Sequence, residues 1–425
     1  MKKRIVRLTI LSMLIVFPML TGCMFDIPTP TEATTRSRMV DEPLQRVGAE
    51  TYDYGEELNE IIPVLFRTGN VPRAKYEPLE GAYLGAWLDG DESLRMFEYQ
   101  AEKRHTVYVH EMRIGDDVPT NWILHCIAAM ATPLFVIHPM SSYDMDYGIP
   151  AEELIYLARQ LGSFNLPMFI AFHPPGHGMA PAEFNNLFRY ARSVFLLHAP
   201  QAAFVWVAPN TEATPQSPFY PGHDAVDWVG ASLLAGRCKE GKTPDILAKF
   251  EPFHNAFQAH KPIMILPLGI SHFSRGDYNF RISETVAELH QTYEALRNFP
   301  RVGLIVYADS FSLSPSTQDD FSISGESRLM NAYRDVVACE HFLSRLETNV
   351  PPSPIWVRSE FLGYYREGDA YVNIRTLENE LRIAPPRQQE EINGQNYANI
   401  QVISSYNNSL NISFCAYRRV IFVGA

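Results

Sequence analysis

Polar and aromatic side chains able to bind a ligand or move a proton lie at or near the ends of the apolar, strand-like runs of this 425-residue chain. Imidazole and carboxylate groups in such places can hydrogen-bond a ligand, exchange protons with a substrate or hold a metal ion that activates water. Aromatic faces can pack against an apolar part of a ligand. The candidate ligand-binding residues are Trp87, Asp89, His138, His173, His177, Asp227, Trp228, His272, Tyr307 and Asp309.

A metal site is one interpretation of the histidines in this set. Together with His110, and with Asp227 or Asp309, they could ligate an ion at one end of the fold. The spacings His-x-His and His-Glu-x-x-His, which place two ligands on one strand or helix face, do not occur in the sequence. We therefore expect no metal and no cofactor.

The aromatic candidates allow two interpretations. Trp87 and Trp228 could fill the interior of the fold or stack on a ligand, and both possibilities stay open. Trp206 lies inside an apolar run, which favours core packing. Further aromatic side chains at or beyond the ends of such runs are Tyr143, Phe273 and Tyr307.

The elements that position these residues alternate between short and long segments. Eight short runs rich in apolar and β-prone residues cover 82–87, 106–110, 133–137, 168–172, 203–207, 225–229, 263–266 and 302–307. Longer amphipathic segments separate most of them, at 152–161, 181–197, 246–260 and 283–298. Strands alternating with helices imply parallel pairing, and roughly 270 residues between two composition breaks match the ~250 of a typical (β/α)₈ barrel. The predicted fold class is α/β, a TIM barrel over residues 56–350.

Five of these stretches carry a resemblance to a known family. Residues 81–87, 167–173, 204–210, 220–230 and 261–265 resemble the first, fourth, fifth, sixth and seventh strands of glycoside hydrolase family 26, best known for β-mannanases. The resemblance covers most of residues 80–310, and the sixth-strand stretch is its most specific part.

The resemblance implies two catalytic glutamates that this chain lacks. The family's acid/base glutamate follows the histidine of strand four, where this chain has Pro174 after His173. The family's nucleophile follows strand seven just before a glycine, where this chain has Pro267. A retaining glycosidase needs both carboxyl groups, and proline has no ionisable group. We therefore expect no hydrolysis by the family mechanism.

Other carboxylates could in principle replace the missing pair. His110-Glu111-Met112 looks like the family's acid/base motif but falls on the second strand. Acids near other strand ends could bind sugar hydroxyls or rebuild a site. These are Asp144, Asp146, Asp227 and Asp309.

The residue pattern of the sequence changes after a Pro-rich segment near residue 350. Segments 368–377 and 394–403 share the pattern Gly-x-x-Tyr-apolar-Asn-Ile-polar-x-apolar, which predicts a small α+β module of two similar halves at 355–425. The module resembles the stalk-type domain also described as copper amine oxidase N-terminal-like, without a His/Cys cluster that could bind copper. A scaffold or envelope-contact role follows from that resemblance.

The first residues are typical of an exported lipoprotein. A basic start and an apolar run of roughly 13 residues, shorter than the ~20 of a spanning helix, indicate a signal peptide over residues 1–22. The Leu-Thr-Gly sequence before Cys23 resembles the bacterial lipoprotein box, in which that cysteine carries a diacylglyceryl lipid. Residues 23–55 are rich in Pro and Thr and predict a flexible spacer.

The net charge of the chain limits the classes of partner that it can bind, whereas its cysteines leave the disulfide pairing open. The net charge is −12, and loss of the four basic residues of the signal peptide takes it to −16. This acidity argues against nucleic acid and against electrostatic docking on anionic lipid. The pairing state of the remaining cysteines stays open; they are Cys126, Cys238, Cys339 and Cys415.

The sequence thus predicts a lipoprotein at the extracytoplasmic face of a bacterial membrane, of Gram-positive type, whose barrel binds an envelope glycan or other polysaccharide without catalysis or serves as a scaffold. The alternatives are an active glycoside hydrolase with relocated carboxylates, a metal-assisted hydrolase, or a structural barrel whose C-terminal module makes the contacts.

Overall fold

The computed structural model describes residues 60–67, 73–89, 93–138, 151–172, 179–237, 241–311, 319–350, 354–416 and 418–424. All of them belong to one compact unit that extends from Glu56 to Ala425. Within these ranges, none of the helices has the length and apolar character needed to cross a membrane.

Eight parallel strands close into a barrel, as the sequence predicts. Each pairs with the next in chain order, and the last returns to the first through Val306 opposite Gly85. The strands are β3 (Ala82–Leu88), β4 (Val107–Arg113), β5 (Thr132–His138), β6 (Met168–Phe172), β7 (Ala202–Val207), β8 (Trp228–Arg237), β9 (Ile263–Ser274) and β11 (Val302–Asp309).

Helices follow most of the strands and cover the outside of the barrel. They are α1 (Leu94–Ala101), α2 (Thr120–Ala129), α3 (Ala151–Ser163), α4 (Pro181–His198), α5 (Ile246–Phe257), α6 (Ile282–Leu296) and α7 (Ser327–Val337). Residues 208–227 join β7 to β8 without a helix. The short strands β10 (Asn279–Phe280) and β12 (Phe342–Leu343) pair with β9 and β3.

Strand alternation divides the apolar residues between two cores. Val107, Val109 and similarly placed residues of the other strands fill the barrel interior, whereas Tyr108 and its equivalents pack against the helices. Because successive side chains of a strand point to opposite faces, one apolar strand supplies both cores. The interior is therefore packed with side chains.

The N-terminal ends of the strands are closed by residues 73–80, which we call the floor. Lys75 Nζ donates to the carbonyl oxygens of Pro200 and Ala202 at 2.7 and 3.0 Å. Tyr76 Oη donates to the Gln201 carbonyl at 2.6 Å. Glu77 accepts two hydrogen bonds from Arg301, at 2.8 and 2.9 Å, and both side chains are almost fully buried.

The C-terminal module contains two antiparallel-rich sheets. One has five strands in the order β1 (Glu60–Ile62), β14 (Gly363–Arg366), β15 (Asp369–Asn373), β17 (Gln395–Asn399) and β16 (Glu390–Ile392). The other has four strands in the order β13 (Trp356–Arg358), β2 (Val64–Arg67), β19 (Val420–Gly424) and β18 (Asn411–Cys415). Residues 60–67, which the prediction places within the barrel segment, thus belong to the module's sheets. Their partners lie about 300 positions away, so no local pattern reveals the pairing.

The two similar halves of the module are built alike. Gly368 and Gly394 have φ values of +91° and +75° in the turns that precede β15 and β17. The Asn that ends each strand then caps the helical segment that follows, with Asn373 Oδ1 accepting from Arg375 N and Asn399 Oδ1 accepting from Gln401 N. These segments are residues 374–380, which include the π-helix Thr376–Glu380, and α8 (Ile400–Tyr406). The repeated Tyr-apolar-Asn motif therefore encodes a strand and a helix cap.

Buried histidines make the stability of the fold dependent on pH. Burial lowers the pKa of His105 to about 3 and that of His254 to about 4. An unfolded histidine titrates near 6.5, so this stability is complete above that pH and decreases as the pH falls toward 4. We expect each histidine to lower the free energy of unfolding by about 2 kcal/mol when the pH falls from 7 to 5. The loss is about 1.4 kcal/mol for each pH unit below 6.5.

Urea unfolding of the His105→Gln variant at the two pH values checks this expectation. The variant should lose about 2 kcal/mol less than the wild type, given ~1.4 kcal/mol per pH unit. The exposed His125 supplies the control, since His125→Gln should keep the wild-type pH dependence. Equal pH dependence in all three proteins would contradict the account of His105.

Candidate functional site

The C-terminal ends of the eight strands form the end of the barrel opposite the floor, which we call the mouth. Barrel enzymes carry their chemistry at this end. Trp87 lies here at the end of β3, partly exposed and packed against the interior core. Its position agrees with a role in ligand contact and does not require one.

Glu111 and His138 form a polar pair at the mouth. They lie on the neighbouring strands β4 and β5, and His138 Nε2 is 3.2 Å from Glu111 Oε1. The His138 side chain is 43% exposed and the Glu111 side chain is 50% exposed. A carboxylate and an imidazole open to solvent can bind sugar hydroxyls, and the carboxylate could also exchange a proton.

Asp89 connects two sides of the mouth. It follows β3, and its Oδ2 accepts a hydrogen bond from Phe311 N at 2.9 Å. Phe311 comes just after β11, and 64% of its surface is exposed. Asp89 therefore holds the start of the segment after β11 and places an exposed ring beside the barrel.

Position 267, where the resemblance leads us to expect the family's nucleophile, lies in apolar surroundings. Pro267 is buried within β9, and an added Cβ on Gly269, two residues later, would lie 2.9 Å from both Leu234 and Phe321. Leu234 belongs to β8, and Phe321 belongs to the segment after β11. Apolar side chains thus lie against Gly269, while the Asp320 carboxylate lies farther along the strand, 3.2 Å from His272.

Two candidates of the last strand are structural in this fold. Asp309 is buried, and its Oδ1 accepts hydrogen bonds from Ile323 N and Ser324 N at 2.5 and 3.1 Å. Tyr307 is fully buried against the helices, and its Oη donates to the Phe321 carbonyl at 3.1 Å. Both hold the segment after β11 in place, which makes them unsuitable as direct ligand contacts.

His272 has a similar anchoring role. Its Nε2 lies 3.2 Å from Asp320 Oδ2, and its main-chain N–H donates to the Asp320 carbonyl at 2.9 Å. Burial raises the pKa of Asp320, but hydrogen bonds from His272 and Ser322 outweigh it and leave that pKa below the usual range. The imidazole also stacks on Phe280 at a centroid distance of 5.6 Å. His272 therefore supports an aromatic side chain next to the mouth.

Asp227 and Trp228 lie at the floor and not at the mouth. Trp228 starts β8 and is fully buried, with Nε1 donating to the Lys75 carbonyl at 2.8 Å. Asp227 accepts two hydrogen bonds from Arg192 and one from Phe204 N, at the beginning of β7. The prediction ends a strand at Val229, whereas the observed strand begins at Trp228. This shift moves both side chains to the opposite end of the barrel.

The sequence prediction misses an aromatic hairpin beside the mouth. Strand β9 continues past the barrel and pairs with β10, which places Phe273 opposite Phe280 at 5.4 Å between ring centroids. Tyr278 lies 6.2 Å from Phe273. Tyr278 and Phe280 are 72% and 62% exposed. We call Phe273, Tyr278 and Phe280 the aromatic hairpin. The alternation of Tyr278 and Phe280 after Gly276-Asp277 is the signal that could have revealed it.

Several predicted residues lie outside the described residues. They include the position where the resemblance places the acid/base residue, and the expected site of lipid attachment. The full set is Cys23, Tyr143, Asp144, Asp146, His173, Pro174, His177 and Cys238.

The described ranges contain no group of three or more His, Cys, Asp or Glu side chains that could hold a metal. Three cysteines within them are free thiols: Cys126, Cys339 and Cys415. Trp206 is fully buried, which confirms its expected place in the core.

No protein-family model and no curated protein matches the chain. Solved structures similar to it include a GH26 β-mannanase of Bacteroides ovatus, with 11% identity and a TM-score of 0.49 over 64% of this chain and 95% of that one. GH26C of a Muricauda species has 13% identity and a TM-score of 0.47, covering 64% of this chain and 89% of that one.

A GH128 endo-β-1,3-glucanase of Amycolatopsis mediterranei, solved with laminaripentaose, is also similar, with 14% identity and a TM-score of 0.39 over 60% of this chain and all of that one (100%). The structural neighbours are thus glycoside hydrolase barrels. At these identities the likeness concerns the fold alone and assigns no role to any residue.

Proposed function

We propose that this chain is a lipid-anchored protein of the cell envelope whose barrel mouth binds a glycan without cleaving it. The proposal rests on the exposed aromatic hairpin beside the mouth and on the buried Pro267 of β9, the seventh strand of the barrel. Anchoring through Cys23 rests on the lipoprotein box of the sequence.

Exposed aromatic rings favour sugar as the ligand. Tyr278 and Phe280 expose most of their surface. Burial of a side chain of this size is favourable by about 1.5–3 kcal/mol, so a ligand that covers the two rings gains binding free energy. Pyranose rings have an apolar face that aromatic side chains can cover, while nearby polar groups bind the hydroxyls. Glu111, His138 and Asp89 are polar groups of this kind at the same end of the barrel.

The loss of chemistry follows from Pro267. A covalent mechanism needs a nucleophilic carboxylate close to the sugar carbon. Pro267 offers no such oxygen, and Leu234 and Phe321 fill the space beside Gly269.

A second function is favoured by one observation, the exposure of Glu111 beside His138. If the protein is an enzyme, it is a glycoside hydrolase in which Glu111 is a relocated acid. In that case Glu111→Gln abolishes sugar release, whereas in a binding protein it weakens affinity modestly.

The hairpin is tested by glycan affinity. The full chain in detergent is titrated with soluble mannan, another soluble β-glucan and solubilised peptidoglycan fragments. We expect affinity for one of them to fall about 30-fold in the double variant Tyr278→Ala/Phe280→Ala, as for two side chains that together contribute about 2 kcal/mol.

The control removes an equally exposed aromatic ring elsewhere. Tyr99, on the outside of helix α1, is 80% exposed, and Tyr99→Ala should bind like the wild type. Absence of binding to every glycan would contradict the proposal, as would undiminished binding by the double variant.

A further inference from the structure

A cleft lies at the floor, between the barrel and the C-terminal module. Its volume is about 790 Å³, within the ~300–1,000 Å³ typical of small-molecule sites. The starts of β3 and β11 form one wall, and β2, β13 and β19 form the other. We call it the floor cleft. It is separate from the mouth and from the function proposed above.

Arginine side chains are concentrated in the floor cleft of an otherwise acidic chain. Five arginines line it, namely Arg67, Arg73, Arg297, Arg301 and Arg418, together with four glutamates, Glu77, Glu80, Glu340 and Glu347. Arg301 and Glu77 neutralise each other within the wall. Glu347 Oε2 accepts a hydrogen bond from Leu79 N at 2.7 Å. The cleft therefore carries more positive than negative charge, although the whole chain has a net charge of −12.

Arg67 is the arginine best placed to bind an anion. Its guanidinium lies over the Trp356 ring, 4.7 Å from the centroid, and its side chain is exposed at the edge of the cleft. Among the contacts of the described residues, Arg67 has this ring as its partner and no carboxylate. A stacked guanidinium is held flat and keeps its N–H groups for a planar or tetrahedral oxyanion.

Aromatic rings continue from Arg67 into the cleft. Phe422 meets Trp356 edge to face at 5.1 Å, and Arg418 lies over Phe422 at 5.2 Å. Burial, followed by the positive charge of Arg297, lowers the pKa of Arg418. An anion in the cleft would offset this crowding of positive charge.

We propose that the floor cleft binds the acidic groups of an anionic glycan, with Arg67 as the principal contact. The size of the cleft and its aromatic walls fit an oligosaccharide better than a free ion. The recognised group is an oxyanion, and two polymer classes carry one: uronic-acid chains have carboxylates and polyol-phosphate chains have phosphates.

Calorimetric titration of the full chain distinguishes the two sources. One arm uses trigalacturonate, the second uses a glycerol-phosphate trimer and the third uses neutral maltotriose. We expect one anionic probe to bind and maltotriose not to bind. Arg67→Gln should weaken that binding about 10–100-fold, the range of a charge-assisted contact worth ~1.5–3 kcal/mol.

A matched variant isolates the cleft. Arg375 is also exposed and also lies over an aromatic ring, Phe361, at 5.8 Å, but it does not line the cleft. Arg375→Gln should retain wild-type affinity, and so should Tyr278→Ala/Phe280→Ala, whose defect concerns the mouth. Failure of both anionic probes to bind would overturn the proposal, as would equal losses in Arg67→Gln and Arg375→Gln.

Discussion

Trp228→Ala is expected to lower the free energy of unfolding by about 3–5 kcal/mol, the cost of removing a large buried aromatic side chain. The indole is fully buried, packs edge to face on Phe169 at 5.6 Å and donates to the Lys75 carbonyl. Gly303 fits closely beside it, since an added Cβ there would lie 2.8 Å from the ring. Truncation therefore leaves a cavity at the floor and an unsatisfied carbonyl.

Glycan affinity should not change in the same variant, measured where the protein is still folded. Trp228 lies at the opposite end of the barrel from the mouth, so its loss affects stability alone. Trp87→Ala supplies the comparison, because Trp87 is partly exposed at the mouth and should change affinity more than stability. Urea unfolding and glycan titration of both variants check this. A Trp228→Ala protein that is as stable as the wild type but fails to bind would contradict the floor assignment.

Glu77→Gln is the second change with a large expected effect, again about 3–5 kcal/mol of unfolding free energy. The carboxylate accepts two hydrogen bonds from Arg301 and a third from Ala74 N at 2.9 Å. The exposed fractions of the Glu77 and Arg301 side chains are 2% and 3%. The neutral amide leaves a buried guanidinium without a counter-charge, and Arg301 directly precedes the last barrel strand.

An exposed pair of similar geometry is the control for Glu77. Arg189 and Asp224 are 2.6 Å apart, with exposed fractions of 46% and 72%. Solvent screens such a pair, so Asp224→Asn should cost at most about 1 kcal/mol. Chemical denaturation of the two variants measures the difference, and similar losses would contradict the structural role assigned to the floor.

The barrel could be predicted because its signals are local. Short apolar runs such as Met168–Phe172 and amphipathic segments such as Pro181–His198 reveal their own periodicity. The prediction was wrong where the location of a residue depended on the exact boundary of a strand. Setting the sixth strand a few residues too early assigned Asp227 and Trp228 to the mouth, since the two ends of a parallel strand face opposite ends of the barrel.

The rest depended on contacts between distant residues. Strand β2 pairs with β19 across more than 350 positions, from Val64 to Ile421, and no pattern near residue 64 indicates this partner. Arg67, which lines the floor cleft, lies at the end of β2. The anchoring roles of Asp309 and His272 likewise depend on contacts with residues 320–324, which lie beyond the end of β11 and give no local signal at the strand ends.

The central claim is that the mouth binds a glycan and does not cleave it. It is tested most directly by following reducing ends in a solution where calorimetry has shown the full chain to be saturated with its glycan. We expect tight occupancy and no sugar release above the buffer blank, with Glu111→Gln indistinguishable from wild type in release. Steady release of reducing sugar that disappears in Glu111→Gln would contradict it and identify an enzyme.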